Sequence, residues 1–129
     1  MHVDILDATI ELDESLVDDA TPAEIRRQVV AYGRGERTAF DLELSLPDGF
    51  LGDVMGAMMQ IPYGETRTYG ELATALDTAP VAVGQACGRN PIPLLVPCHR
   101  VVATDGGLGG YSATGGVATK RRLLALEEK

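Results

Sequence analysis

The sequence predicts an α/β protein of the α+β kind, in which a small N-terminal part combines an antiparallel sheet with a helix and the C-terminal part is mainly helical. Three observations predict this architecture. A chain of 129 residues that is 45% apolar can bury one domain core. Residues 40–46 alternate apolar and polar side chains, as half-buried strands do, whereas helix-start signals predominate later in the chain. The turn at 47–49 divides residues 1–49 from residues 50–129.

The N-terminal part contains one clear helix signal and weaker strand signals. Apolar residues alternate weakly within residues 3–12, which predicts a strand or a pair of strands. Thr21 can accept from the free N–H groups of a helix start, Pro22 suits the first helical position, and Glu24 completes a capping box. We therefore predict a helix over 22–32.

The C-terminal part begins with signals for two short helices. Thr68 and Glu71 repeat the capping-box spacing and predict a helix that continues to about Leu76. Pro80 can open a second helix over 80–88. Two short helices joined by about three residues are typical of a winged-helix-like helix-turn-helix motif, although most short helix pairs bind nothing. DNA recognition by this pair therefore needs further support.

The remaining C-terminal segments surround the sequence Pro-Cys-His-Arg at 97–100. Residues 94–96 form an apolar run between prolines, and 101–102 continue it as a short strand or extended segment. The last element is predicted to be a helix that starts near Ala118. We expect its leucines on the inner side and its basic residues outward: Leu123, Leu124 and Leu126 inward, Lys120, Arg121 and Arg122 outward.

Two groups of sulfur-containing side chains are interpreted as core. Met55, Met58 and Met59 lie in the apolar segment over 50–60, and packing is the expected role of such a cluster. An adaptable binding surface is the alternative. Cys87 is likewise expected to be a core residue.

Charge is distributed unevenly along the chain. Residues 1–60 hold 13 acidic and 4 basic residues, whereas residues 61–129 hold 6 and 7, within a total net charge of -8. The overall balance disfavours a nucleic-acid partner, but the nearly neutral second half leaves room for one. Only 2 of the 11 basic residues are lysines, and we interpret an acid-rich, lysine-poor surface as a sign of a salt-loaded host cytoplasm.

The chain is predicted to be cytoplasmic, without a membrane partner. It contains no apolar run long enough to span a bilayer, and its first residues lack the basic-then-apolar pattern of an export signal. Cys87 and Cys98 are expected to be free thiols.

Cys98 is the residue with recognisable chemistry. A thiolate is needed to attack carbon, and the neighbouring His99 and Arg100 carry groups that lower the pKa of a thiol. Adjacent residues need not face each other, so His99 could instead act through a water while Glu127 orients its ring. The alternative is that Cys98 is a buried small apolar residue, as most lone cysteines are.

A wider set of motifs separates these alternatives. In their order and near their spacing, they are similar to the O6-alkylguanine-DNA alkyltransferase family, and the resemblance covers about residues 50–129. The motifs are Ile61-Pro-Tyr-Gly-Glu, Thr68-Tyr-Gly-Glu-Leu-Ala73, Val83-Gly84, Asn90-Pro91, Pro93-Leu-Leu-Val-Pro-Cys-His-Arg-Val-Val102, Gly110-Tyr-Ser112 and the segment from Lys120 to Glu127.

The resemblance implies DNA repair by a protein that is consumed in one turnover. Cys98 would accept the alkyl group irreversibly, His99 would take the thiol proton through a water, and Glu127 would orient His99. Asn90 would hold the backbone around the cysteine. No metal or organic cofactor is implied, and two histidines and two cysteines offer no zinc site of convincing spacing.

The resemblance also implies that the protein is a monomer and that its partner is DNA containing O6-alkylguanine. It further implies how this DNA would be bound. The damaged base must leave the duplex to reach a buried thiol. Tyr69 would donate to this base, and Tyr111 with the backbone of Ser112 would read it. The second helix of the pair would contact DNA through four positions: Val81, Ala82, Gly84 and Arg89.

Val81 departs from the family pattern, which places at this position an arginine that fills the space left by the flipped base. Valine is a short wedge without hydrogen-bonding groups, so flipping of the base should be less favourable.

Two further functions therefore stay open beside duplex repair. One is an alkyltransferase-like protein that binds damage without accepting the group, although such relatives lack the cysteine; the other is a thiol acceptor for substrates outside a duplex.

Overall fold

The computed structural model of the chain describes residues 1–103, 105, 107–109 and 116–128. These residues form three two-stranded sheets and five α-helices, in agreement with the predicted α+β class. The strands are β1 (His2–Ile5), β2 (Ala8–Glu11), β3 (Val17–Asp18), β4 (Glu43–Leu44), β5 (Arg67–Thr68) and β6 (Val101–Val102). The helices are α1 (Pro22–Gly33), α2 (Phe50–Met59), α3 (Tyr69–Ala75), α4 (Pro80–Gly88) and α5 (Gly116–Glu127), with 3-10 turns at Glu14–Leu16 and Cys98–Arg100.

The first two strands form an antiparallel hairpin, which confirms the predicted pair. His2 lies opposite Glu11, and the two turn residues Leu6 and Asp7 have positive φ angles of 48° and 65°. Positive φ at both central residues gives the turn a twist that matches the flanking strands. The hairpin packs its buried face, which includes Ile5, against α1.

Helix α1 begins at the predicted residue, but its capping box is only half formed. The Thr21 hydroxyl accepts from the backbone N–H of Glu24 at 3.1 Å. The Glu24 carboxylate does not return to the cap; it binds Arg27 at 2.7 and 2.6 Å and Gln28 at 2.6 Å. A guanidinium one turn away offers this carboxylate a charged partner, which a neutral N–H cannot match.

The strand predicted over 40–46 is shorter than expected. Burial alternates along all seven residues, yet only Glu43–Leu44 pairs with a neighbouring strand. The partner, Val17–Asp18, is preceded by the 3-10 turn at Glu14–Leu16, so it offers only two residues for pairing. The alternation of apolar and polar residues over 40–46 therefore predicted the alternating burial correctly. The number of paired residues depends on the distant segment Val17–Asp18.

The helix pair of the C-terminal part agrees with the sequence prediction. Thr68 and Glu71 form both hydrogen bonds of a capping box at 3.0 Å, which starts α3. Pro80 opens α4, and residues 76–79 connect the two packed helices. Of the three methionines in α2, two are fully buried and Met59 is 42% exposed, so core packing accounts for Met55 and Met58 only.

Helix α5 confirms the inward Leu123 but corrects the prediction for Lys120. Lys120 is fully buried and donates from Nζ to the carbonyl oxygen of Val101 at 2.5 Å. Positions 120, 123 and 127 fall on one face of a 3.6-residue helix, so Lys120 follows the buried face of Leu123 and Glu127. Arg121 and Arg122 are exposed, as expected, and Leu124 and Leu126 are half-buried.

No helix in the described ranges is long and apolar enough to span a membrane. The buried core includes residues of both parts of the chain, and the backbone N–H of Asp13 donates to the carbonyl oxygen of Pro91 at 3.0 Å. The N-terminal part therefore packs on the segment that leads to Cys98.

Two glycines of α2 provide a test of this packing. A Cβ atom at Gly52 would overlap the carbonyl oxygen of Pro47, whereas a Cβ at Gly56 would lie 4.0 Å from Leu46. We expect Gly52→Ala to lower the free energy of unfolding by about 2 kcal/mol or more, because the backbone at Pro47 or Gly52 must move to relieve the overlap. Gly56→Ala, the matched control, should raise it by about 0.5–1 kcal/mol. Urea denaturation followed by circular dichroism measures both, and equal effects would contradict the close approach at Gly52.

Candidate active site

Cys98 begins the 3-10 turn Cys98–Arg100 and is only 3% exposed. Its backbone N–H donates to the carbonyl oxygen of Val96 at 2.8 Å. Asn90, just beyond α4, fixes the preceding loop with two hydrogen bonds: Nδ2 donates to the Val96 carbonyl at 3.0 Å, and Oδ1 accepts from the Ile92 N–H at 3.0 Å. The loop before the cysteine is therefore held by a buried amide.

Burial keeps Cys98 in its thiol form. It raises the pKa of the thiol to about 11, although a hydrogen bond from Asn90 and the nearby charge of Lys120 act in the opposite direction. Two roles for the neighbours of Cys98 were left open by the sequence. The lowering of this pKa by His99 and Arg100 is contradicted by its raised value, whereas the hydrogen bond between His99 and Glu127 agrees with the alternative in which Glu127 orients the ring. Both side chains are turned toward Glu127 instead.

The Glu127 carboxylate is the centre of a buried polar network. It is 4% exposed and accepts from His99 Nε2 at 2.6 Å, from Arg100 Nε at 2.7 Å and Nη2 at 3.1 Å, and from the Tyr32 hydroxyl. Arg100 also donates to the Ile61 carbonyl at 2.8 Å. Burial favours the neutral acid, but the hydrogen bonds from His99 and Arg100 outweigh it and lower the pKa of Glu127 to about 2.

His99 is fully buried and is held in one tautomer by this carboxylate. Burial lowers the pKa of the imidazole, and the hydrogen bond to Glu127 offsets part of that effect. An ionised carboxylate only accepts hydrogen bonds, so Nε2 carries the proton and Nδ1 of the neutral ring carries a lone pair. Nδ1 has no hydrogen-bond partner among the described residues. The site therefore contains a neutral ring with a buried acceptor atom.

Lys120 adds a buried positive charge that the sequence prediction had placed on the surface. Burial lowers the pKa of its ammonium group, while Cys98 and Cys87 act to raise it. Nζ lies 5.8 Å from the centre of the Tyr69 ring, within the range of a cation–π contact. Tyr69 is half-buried at the start of α3, and its ring packs so closely on Gly109 that a Cβ there would lie 2.8 Å from Cε2.

The structure brings together Cys98, His99, Glu127 and Asn90, and Lys120 connects this group to Tyr69. Tyr111 and Ser112 lie outside the described residues. The predicted DNA-contacting positions are all on or next to α4: Val81 is 68% exposed, Arg89 is exposed, and Ala82 and Gly84 are half-buried.

Three further residues of the site were not predicted. Lys120 shares a helix face with Leu123 and Glu127, and this spacing was a signal that could have revealed it. Arg100 was noted only as a neighbour of the thiol. Tyr32 lies 95 residues from its partner Glu127, and no local pattern indicates such a contact.

The second cysteine is packed in the core. Cys87 is 8% exposed, and its Sγ lies 3.6 Å from the Sδ of Met58. Both cysteines are free. Within the part of the chain that the structure describes, no group of three or more His, Cys, Asp or Glu side chains could hold a metal ion.

Comparison with known proteins assigns a family to this arrangement. Residues 49–129 match the sequence profile of the family described as "6-O-methylguanine DNA methyltransferase, DNA binding domain". A methylated-DNA–protein-cysteine methyltransferase of Mycobacterium bovis is 50% identical over 104 residues, 78% of this chain and 62% of the relative. One from Methanosarcina acetivorans is 46% identical over 123 residues, 92% of this chain and 77% of the relative.

Solved structures give the same assignment. The crystal structure of Mycobacterium tuberculosis OGT in complex with DNA has a TM-score of 0.76 at 48% identity and covers 82% of this chain and 66% of that one. An O6-methylguanine-DNA methyltransferase from Pyrococcus kodakaraensis has a TM-score of 0.69 at 37% identity, with coverages of 87% and 68%. The chain spans 62% of the length of the mycobacterial relative described above. The chain belongs to the 6-O-methylguanine DNA methyltransferase family.

Proposed function

We propose that Cys98 accepts an alkyl group from O6-alkylguanine in DNA, irreversibly and once per protein molecule. The observation that carries the proposal is the fixed tautomer of His99. Glu127 holds Nε2–H, which leaves Nδ1 as a buried acceptor one residue from the thiol. This is the arrangement of nucleophile, base and orienting carboxylate that activates thiols and hydroxyls in enzymes.

A base is needed because the resting thiol is scarcely ionised. A pKa of about 11 leaves roughly one molecule in ten thousand as thiolate at pH 7. We propose that a water passes the proton of Cys98 to Nδ1 of His99. The resulting imidazolium would be stabilised by Glu127, while Asn90 and Lys120 stabilise the developing negative charge on sulfur.

The transfer step then exchanges one bond for another. The sulfur of Cys98 attacks the alkyl carbon, the bond between that carbon and O6 breaks, and its electron pair remains on the guanine. The guanine takes up the proton that the thiol released, so the products are guanine and a thioether. Removal of the alkyl group would require the thiolate of Cys98 to leave an unactivated alkyl carbon, which is unfavourable, so the protein would act stoichiometrically.

DNA binding would place the target base at this site. The base must rotate out of the duplex, because a thiol that is 3% exposed cannot reach an O6 substituent inside the stack. We propose that α3 and α4 act as a helix-turn-helix motif and that Val81, 68% exposed, enters the space left by the base. Arg89 would contact phosphate, and Tyr69, Tyr111 and Ser112 would bind the flipped guanine.

A second candidate function is alkyl transfer from single-stranded or otherwise unpaired substrates. The observation that favours it is the side chain at Val81, which offers no hydrogen bond to the orphaned base. A protein that only senses damage is disfavoured, because Cys98 is present and its neighbour His99 is hydrogen-bonded to Glu127.

We further propose that the protein acts as a monomer in the cytoplasm. The proposed proton transfer uses Cys98, His99 and Glu127 of a single chain, so it requires no second copy. Both cysteines are free, which suits a reducing compartment.

The transfer itself is tested by the intact mass of the protein after incubation with an oligonucleotide that contains O6-methylguanine. The expected gain corresponds to one hydrogen replaced by one methyl group, and it should map to Cys98. Cys98→Ala should show no gain, because the nucleophile is absent. Cys87→Ala is the matched control and should be methylated like the wild type. Methylation of Cys98→Ala, or none of the wild type on either strand form, would contradict the proposal.

The role of Val81 is tested by comparing transfer rates on duplex and single-stranded substrates. Val81→Arg should raise the duplex rate by roughly tenfold, since one or two new hydrogen bonds to the orphaned base contribute about 1.4 kcal/mol. The single-stranded rate should change much less. Gln85→Arg adds the same charge one turn further along α4, at another exposed position, and should change both rates by a similar factor. If both variants raised the transfer rate on duplex DNA by the same factor, the added charge alone would explain the effect.

A further inference from the structure

One residue of the N-terminal part reaches the carboxylate that orients His99. Tyr32 lies near the end of α1, is 1% exposed, and donates its hydroxyl proton to Glu127 Oε2. The same hydroxyl accepts from Arg100 Nη2 at 3.2 Å. The Tyr32 hydroxyl therefore contacts both Glu127, which accepts a hydrogen bond from His99, and Arg100, which binds the same carboxylate.

Tyr32 and His99 share one oxygen atom. Glu127 Oε2 accepts from the Tyr32 hydroxyl, from His99 Nε2 at 2.6 Å and from Arg100 Nη2 at 3.1 Å. The other oxygen accepts from Arg100 Nε at 2.7 Å and from the Gly64 N–H at 3.5 Å. A carboxylate offers about four lone-pair positions, so five donors compete for them. The strength of the hydrogen bond from His99 must depend on the one from Tyr32.

Packing fixes the position of the phenol ring. Tyr32 stacks on Phe40 with ring centroids 4.8 Å apart, and it meets the edge of Tyr63 at 5.8 Å. Burial and the adjacent Glu127 raise the pKa of the phenol, so it remains a proton donor throughout the working pH range. A rigid donor that keeps its proton can exert a constant influence on the carboxylate.

We propose that Tyr32 is a positioning residue of the alkyl-acceptor site, which acts through Glu127 on the orientation and basicity of His99. This inference rests on the proposed function for its catalytic meaning. Tyr32 lies in the N-terminal part of the chain, where the sequence predicted no site residue.

The direction of the effect follows from the shared oxygen. Without the Tyr32 proton, more of the carboxylate charge falls on His99 Nε2–H, which favours the imidazolium form. His99 would then lose the lone pair on Nδ1 at a higher pH than in the wild type. The charged and titratable groups around His99 are otherwise unchanged: Glu127 and Lys120 on α5, Arg100 and the Cys98 thiol on the same turn, and Tyr63 beside Arg100.

The matched pair of variants is Tyr32→Phe and Tyr63→Phe. Both remove one hydroxyl and keep the ring, but the Tyr63 hydroxyl donates to the Leu126 carbonyl at 3.4 Å and not to the carboxylate. The first measurement is the single-turnover rate of methyl transfer to Cys98 as a function of pH. We expect the acid limb of Tyr32→Phe to move up by about one pH unit, the size of one hydrogen bond to a charged group, and that of Tyr63→Phe to stay in place.

The second measurement requires no activity. The chain has two histidines, and His2 is 73% exposed, so nitrogen-15 NMR distinguishes His99 without difficulty. At pH 7 the Nε2–H proton of His99 should move downfield in Tyr32→Phe as its hydrogen bond strengthens, while His2 serves as the internal reference. Tyr63→Phe should leave this resonance at its wild-type position.

If Tyr32→Phe does not fold, the role of Tyr32 can still be tested by replacing Tyr32 alone with 3-fluorotyrosine. This phenol is a stronger donor of nearly the same shape, so both readouts should move in the opposite direction. Unchanged readouts in all variants, or equal changes in Tyr32→Phe and Tyr63→Phe, would overturn the role of Tyr32. Absence of methyl transfer in the wild type would overturn the proposed function instead, and the Nε2–H resonance would still decide whether Tyr32 acts on His99.

Discussion

The buried carboxylate of Glu127 is the interaction on which the rest of the site depends. An ionised group that is 4% exposed is tolerated only with nearly complete hydrogen bonding, and here the donors come from α1, from the turn that follows Cys98 and from the loop near Gly64. The same contacts join distant parts of the chain. Loss of one charged partner of a buried pair costs about 3–5 kcal/mol, so the geometry of His99 and the stability of the fold are not separable properties here.

A buried, neutral thiol would suit the proposed function, in which each protein molecule reacts once. A permanently ionised cysteine reacts with many electrophiles and oxidants. Cys98 instead stays protonated, because burial raises its pKa to about 11. In the proposed mechanism its proton is removed by the adjacent residue His99, whose Nδ1 has no partner among the described residues, and Glu127 stabilises the imidazolium. The resting thiol would therefore react slowly with other electrophiles.

Local signals in the sequence predicted local structure well, and long-range contacts limited the rest. The capping box of Thr68 and Glu71 was predictable because its two hydrogen bonds join residues three positions apart. The strand over 40–46 was predicted too long because its ladder depends on a partner more than twenty residues away. Lys120 was placed outward because exposed lysines are the rule, although its helix face argued otherwise. The contact of Tyr32 is formed by folding alone, so no pattern could reveal it.

The distribution of charge has a consequence for the proposed DNA binding. Of the seven basic and six acidic residues in 61–129, Arg100, Lys120 and Glu127 are buried, which leaves five basic and five acidic residues elsewhere in that half. Part of the positive charge in the half that left room for a nucleic-acid partner is therefore buried. In the proposed DNA binding, the contacts would come from Arg89 and from the exposed face of α4, so few phosphates would be neutralised. Because the salt dependence of binding scales with that number, the burial of Arg100 and Lys120 would give the proposed DNA binding a shallow salt dependence.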